Sequence, residues 1–168
     1  AVDVQGGPGF PAARPLSNSG WLKRALDQYR VILLDQRGTG LSSPITTQTI
    51  QHLDPIKQAE YLSHFRADNI VRDAEAIRKH FNVDKWAIIG QSFGGFCSLT
   101  YLSLFPESLL ASYITGGIPS ISRNNDDVYH ATYKRTLDKN NEFFARFPHA
   151  QELCDRIANT LLDHSVPL

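Results

Sequence analysis

Short apolar runs alternate with amphipathic segments over most of the chain. Tyr29 to Asp35 (YRVILLD) is β-branched and apolar, lacks the alternation of a half-exposed strand, and ends at the turn-prone Arg37-Gly38-Thr39-Gly40. It is expected to be a central parallel strand buried on both faces. Trp86 to Gly90 (WAIIG) and Ser112 to Thr115 (SYIT) share that character and each runs into glycine. Ala1-Val2-Asp3-Val4 reads as the tail of a further strand entering Gln5-Gly6-Gly7-Pro8-Gly9, so the chain is expected to begin inside a fold. Between these runs the pattern is helical. Ser17 or Ser19 can cap a helix through Leu26, and Asp54-Pro55 supplies an N-cap and first-turn pair for a helix through about His64. From Ala67 to Phe81 the apolar positions Ile70, Val71, Ala74, Ile77 and Phe81 recur at three- and four-residue spacings, with charged residues on the other faces. Phe93 to Leu104 is mostly apolar or small, which predicts a buried helix.

Strands alternating with helices of this length imply a mostly parallel sheet with helices on both faces, an α/β architecture. After Pro119 the pattern changes. Asn124 to Leu162 is charged and helix-like with no strand candidate, and Phe143, Phe144, Phe147, Leu153, Ile157, Leu161 and Leu162 serve as its apolar contacts. The expected division is a core domain over residues 1–121 and a helical segment over residues 122–168, an insertion lying over the edge of the sheet.

A chain of 168 residues with 17 basic and 17 acidic side chains is large enough for one core and has no net charge. Neither nucleic acid nor an anionic membrane is implied as a partner. Its apolar stretches fall far short of the ~20 residues of a spanning helix, and no signal-peptide pattern opens it, so a cytoplasmic protein is expected. Cys97 and Cys154 lack metal-ligand spacing and read as buried free thiols; no metal or other cofactor is expected.

The chemistry concentrates at Gly90-Gln91-Ser92-Phe93-Gly94. Gly-x-Ser-x-Gly arises by chance in about one chain in twenty of this length, but here it follows an apolar strand and opens an apolar helix. That is the setting of a nucleophile elbow, which presents a serine hydroxyl on a strained turn at a helix N-terminus. Acyl transfer then needs donors for an oxyanion. The N–H of Phe93, the residue after the serine, is one; Gly7, in the side-chain-poor Gly6-Gly7-Pro8-Gly9 that follows another strand, is the candidate for the second. Asp35 and Arg37, flanking a glycine turn, are expected to pair and brace their loop.

Together GGPG after one strand, DQRGTGLSSP after the next, GQSFGGFCSLTYLSLFPESL around Ser92 and YITGGIP before the helical segment resemble the prolyl aminopeptidases, or proline iminopeptidases, of the α/β-hydrolase fold. The resemblance runs in order over nearly the whole chain. It implies a serine peptidase that releases N-terminal proline from peptides with a Ser-Asp-His triad under a helical cap, without a cofactor. Ser92 takes the nucleophile position, Gly7 and Phe93 the oxyanion positions. Gln5 stands where many members have His, which points to a subgroup. In this fold the acid and histidine follow the serine on loops after later strands. Only 76 residues follow Ser92, and from Ser122 onward they read as cap helices, so the acid and base are expected outside this chain, and the fragment is expected to be inactive alone and to self-associate or require its other part. His130, His149 and His164 lie in polar helical contexts and are read as surface residues, as are Glu142 and Glu152. Alternatives are an esterase or amidase on the same scaffold, or a non-catalytic truncated module.

Overall fold

The computed structural model describes residues 1–120 and 122–163. They form two compact units, one over residues 1–119 and one from residue 120 onward. The first contains strand β1 (Val2–Val4), helix α1 (Gly20–Leu26), β2 (Ile32–Leu34), α2 (Thr47–Ile50), α3 (Pro55–Ser63), α4 (Ala67–His80), β3 (Trp86–Gln91), α5 (Phe93–Leu104) and β4 (Leu109–Thr115). The strands make one parallel sheet in the order β2-β1-β3-β4. The chain therefore steps outward from β1 to β2, crosses back over β1 to β3, and continues to β4. Between β1 and β3 the direction of travel reverses, and open α/β sheets bind ligands outside the strand ends at such a point.

The order corrects one expectation. Tyr29 to Asp35 forms only a three-residue strand, and among the described residues it lies at the edge, with Ile32 and Leu33 only partly buried. The interior position belongs to β1, paired on both sides, Val4 standing opposite Leu34 of β2 and Gly90 of β3. Val2 and Val4 are accordingly buried.

Helices α4 and α5 pack against each other and against one face of the sheet. Ile70, Val71 and Ala74 of α4 meet Cys97 and Tyr101 of α5 over Val2, Val4, Trp86 and Ile88. The three- and four-residue spacing along α4 delivers this stripe as expected, although Phe81 becomes its exposed C-cap. Asp68 in its first turn and Arg78, Lys79 and His80 in its last complement the helix dipole. At the centre of the packing lies a polar knot: the Glu75 carboxylate accepts from Tyr101 Oη at 2.6 Å, Arg78 Nη2 at 2.6 Å, Arg78 Nε at 2.9 Å and Ser108 Oγ at 3.3 Å. Tyr101 Oη in turn accepts from Trp86 Nε1 at 3.2 Å, so one network ties α4 to α5 and β3. These donors hold the Glu75 carboxyl down at about 2, with Arg78 the largest cause.

Asp54 caps α3 as expected, accepting from the Ile56 and Lys57 N–H groups at 3.1 and 3.0 Å. Ser19 occupies the N-cap of α1 without a capping bond, its hydroxyl lying 3.2 Å from that of Ser17. In the second unit the long helical stretch is two helices, α6 (Asn125–Arg146) and α7 (Pro148–Asp163). The break comes at Phe147-Pro148, since proline disfavours helical backbone in the residue before it. Among the described residues no helix is long and apolar enough to cross a membrane, and no cluster of His, Cys, Asp and Glu could hold a metal ion.

Candidate active site

Because all four strands run the same way, the segments that leave them emerge at one end of the sheet, and β1 and β3, being neighbours, bring Gln5–Gly9 and Ser92 together there. Ser92 sits between β3 and α5 at φ 55°, ψ −119°. A residue with a Cβ is strained in this region by about 1–3 kcal/mol, which packing must offset. The restraints are visible. Ser92 N–H donates to Thr115 O of β4 at 2.8 Å, and Ser92 O accepts from Gly95 N–H at 2.9 Å. A Cβ on Gly94 would collide with Val4 O, and one on Gly90 with Gly94 O. Strand-to-helix contact this close admits no side chain at either position, which is why glycine brackets the serine. The resulting turn leaves the Ser92 side chain exposed and without a capping hydrogen bond.

Helix α5 begins at Phe93, and among the described residues neither the Phe93 nor the Gly94 N–H finds a backbone acceptor. Such orphan donors, at the positive end of the helix dipole, suit an oxyanion. The loop after β1 lies directly against this turn: a Cβ on Gly6 would sit 2.7 Å from Gln91 O and 3.2 Å from Ser92 Cβ. Gly7 follows at φ 130°, a backbone open to glycine and strained for other residues, and its N–H likewise has no backbone acceptor among the described residues. Of the sequence candidates, then, Ser92 and Phe93 are adjacent in one turn, and Gly7 belongs to the loop packed on that turn.

Asp35 and Arg37 do not pair, contrary to expectation. They leave the end of β2 in different directions. Asp35 turns toward the loop after β1, accepting from Ala12 N–H at 2.9 Å, Leu41 N–H at 2.9 Å and Arg14 Nη2 at 2.8 Å. These bonds, the Leu41 N–H foremost, hold its carboxyl below the ordinary value. Arg37 reaches Asp73 of α4 through two bonds of 2.7 and 2.6 Å and His64 O at 2.8 Å. Bracing survives as a role, with different partners. Between them lies a residue that sequence reasoning passed over: Gln36, 3% exposed, donates through Nε2 to Gln5 O at 2.6 Å.

Cys97 is buried in α5, where desolvation pushes its thiol up to about 12, whereas Cys154 is exposed on α7, so only one of the two thiols is buried as expected. His130 and His149 are exposed on α6 and α7; His164 lies outside the described residues. Glu142 and Glu152 are exposed, Glu142 pairing with Lys139 at 2.8 Å.

The profile of the alpha/beta hydrolase fold family matches residues 5–168. The chain belongs to the α/β-hydrolase fold family. Within that family, this chain is 61% identical over 166 residues to the proline iminopeptidase of Aeromonas sobria, covering 98% of the chain and 39% of that protein. It is 41% identical over 173 residues to a proline iminopeptidase of Aspergillus aculeatus, covering 98% of the chain and 38% of the relative. A putative proline iminopeptidase of Mycoplasma pneumoniae is 33% identical over 108 residues, 64% of the chain and 29% of the relative. The chain thus spans about two fifths of the length of the first two relatives.

Proposed function

We propose that this α/β-hydrolase chain carries the nucleophile and oxyanion donors of a serine peptidase that releases N-terminal proline from peptides. The observation that carries the reading is the exposed Ser92 hydroxyl on a strained turn against the Gly6–Gly9 loop. The 61% identity to a proline iminopeptidase supplies the substrate class.

In the proposed reaction a general base takes the Ser92 proton as Oγ attacks the carbonyl carbon of the N-terminal residue. The carbonyl oxygen becomes an oxyanion and receives hydrogen bonds from Phe93 N–H and Gly7 N–H. Collapse of the tetrahedral species breaks the C–N bond, the leaving amine takes the proton, and an ester on Ser92 remains. Water then attacks that ester under the same base, releasing proline and restoring the hydroxyl. The acid and histidine of the triad belong, in this reading, to parts of the protein beyond these residues, and residues 122–168 to the beginning of its cap. The edges of β2 and β4, unpaired among the described residues, support self-association of the chain taken by itself.

Replacement Ser92→Ala in the complete protein should lower proline arylamide turnover by at least ~10³-fold with the fold intact. Wild-type turnover in that variant would overturn the assignment. A panel of proline arylamide, alanine arylamide and a nitrophenyl ester separates the peptidase from an esterase or amidase on the same scaffold.

A further inference from the structure

We propose that Gln36 is a positioning residue for the oxyanion loop, holding the Gln5–Gly6 peptide so that the Gly7 N–H meets the site at Ser92. The inference rests on the acyl-transfer reading given above.

The parallel ladder between β1 and β2 ends at the pair Val4 and Leu34. Immediately beyond it the Gln36 side chain takes over the pairing, its Nε2 donating to the Gln5 carbonyl at 2.6 Å. Gln36 is itself fixed, since its own carbonyl accepts from the Thr39 N–H at 3.0 Å and the Thr39 hydroxyl at 2.8 Å. Gln36 and Thr39 are buried, at 3% and 6% exposure, and the bond to Gln5 O is itself partly buried, which limits the access of solvent to it. A peptide group is planar, and fixing the Gln5 C=O therefore fixes the orientation of the Gly6 N–H and the path of the chain into Gly7.

The next contact shows why that orientation matters to the chemistry. Gly6 lies flush on the elbow, with space for no more than hydrogen between its Cα and Gln91 O. A rotation of the Gln5–Gly6 peptide would move the loop relative to the serine. The far end of the same segment is anchored separately, by Ala12 N–H on Asp35 Oδ1 at 2.9 Å. Consecutive residues 35 and 36 thus clamp residues 5–12 at both ends, and Gln36 is the clamp nearer Gly7. Donors that stabilise an oxyanion act by being in place before charge develops, so a displaced donor lowers the rate of the chemical step more than it weakens substrate binding.

Gln36→Met in the complete protein keeps the side chain's length and removes its donor. The expected result is a fall in kcat of about ten- to a hundredfold, since losing an oxyanion donor outright costs ~10²–10³, with KM changed by less than about threefold. Affinity for proline boronic acid, whose tetrahedral adduct places an oxygen where the oxyanion forms, should fall with kcat. Gln36→Glu adds a second readout: at pH 8 its carboxylate faces the Gln5 carbonyl and the rate is low. As the carboxyl gains a proton toward pH ~5 it becomes a donor, and the rate relative to wild type at the same pH should rise. The proposal is overturned if Gln36→Met retains kcat within about twofold, if the loss lies in KM while boronate affinity is unchanged, or if the Gln36→Glu ratio stays flat with pH. The last readout decides the matter should Gln36→Met fail to fold. Ser92→Ala measured alongside keeps two failures apart: an active Ser92→Ala removes the acyl-transfer reading together with this inference, whereas an inactive Ser92→Ala beside a full-rate Gln36→Met removes the inference alone.

Discussion

Glu75→Gln tests whether the polar knot between α4 and α5 holds the first unit together. The Glu75 and Arg78 side chains are only 6% and 12% exposed, so this is a buried ion pair and not a screened surface contact. In the variant an NH2 group must replace one carboxylate oxygen. At the Oε2 position it faces Arg78 Nε–H and the Tyr101 hydroxyl; at the Oε1 position it faces Arg78 Nη2 and Lys79. Either way the NH2 meets an Arg78 N–H, a group that can only donate. Breaking a buried pair from one side costs about 3–5 kcal/mol, and the lower end applies because Arg78 keeps the carbonyls of Val83 and Asp84 as acceptors. The lowered carboxyl is consistent with that magnitude. The carboxyl is lowered from 4.5 to about 2, which at 1.36 kcal/mol per pH unit corresponds to about 3 kcal/mol. A lowered carboxyl contributes this stability above its unfolded value of 4.5, and the contribution is lost as pH falls from 4.5 toward 2. Thermal melts followed by circular dichroism should therefore place Glu75→Gln about 6–12 °C below wild type at pH 7, taking ~2–4 °C per kcal/mol for a chain of this size. The gap should hold down to about pH 5 and narrow below it. A variant that melts within 2 °C of wild type at pH 7, by about the least shift one kcal/mol gives, would refute the reasoning. So would a gap that stays constant through the acid range.

Gly94→Ala places a methyl group on Val4 O and must push β1 away from the elbow. Turnover is expected to fall at least ~100-fold, as for displacement of a catalytic geometry by about 1 Å, and a variant at wild-type rate would mean that the strand-to-helix contact does not set the site. Thiol labelling should find one fast cysteine in the folded chain, the exposed Cys154, and a second only after denaturation, because Cys97 is buried with its thiol pushed up to about 12. Two fast thiols in the native protein would contradict the packing of α5.

Much of this was legible because it depends on local patterns. The stripe of Ile70, Val71 and Ala74, the cap at Asp54, and the glycines around Ser92 are written at short spacings, and each does locally what its spacing implies. What the pattern does not carry is the lateral order of strands. An apolar run such as YRVILLD reads as interior, yet β2 lies outermost among the described strands while the three residues of β1 take the centre. Partner choice is equally nonlocal. Asp35 and Arg37 are close in sequence with opposite charges, but their side chains leave the end of β2 toward Arg14 and Asp73, respectively. Gln36 gave no signal at all. Its acceptor is a backbone carbonyl 31 residues away, and a backbone carbonyl has no residue type to recognise.

The strand order also divides the site into a local and a long-range half. β3, the elbow, α5 and β4 are contiguous in the chain, and β4 secures the Ser92 N–H through Thr115. This half can form from contacts close in sequence. The Gly6–Gly9 loop reaches the same place only when β1 docks against β3, a pairing that closes most of the first unit into a loop and must meet that entropy before the contact rewards it. The second oxyanion donor therefore depends on the longest-range strand pairing of the first unit, whereas the nucleophile's own strand, helix and Thr115 contact are local in sequence.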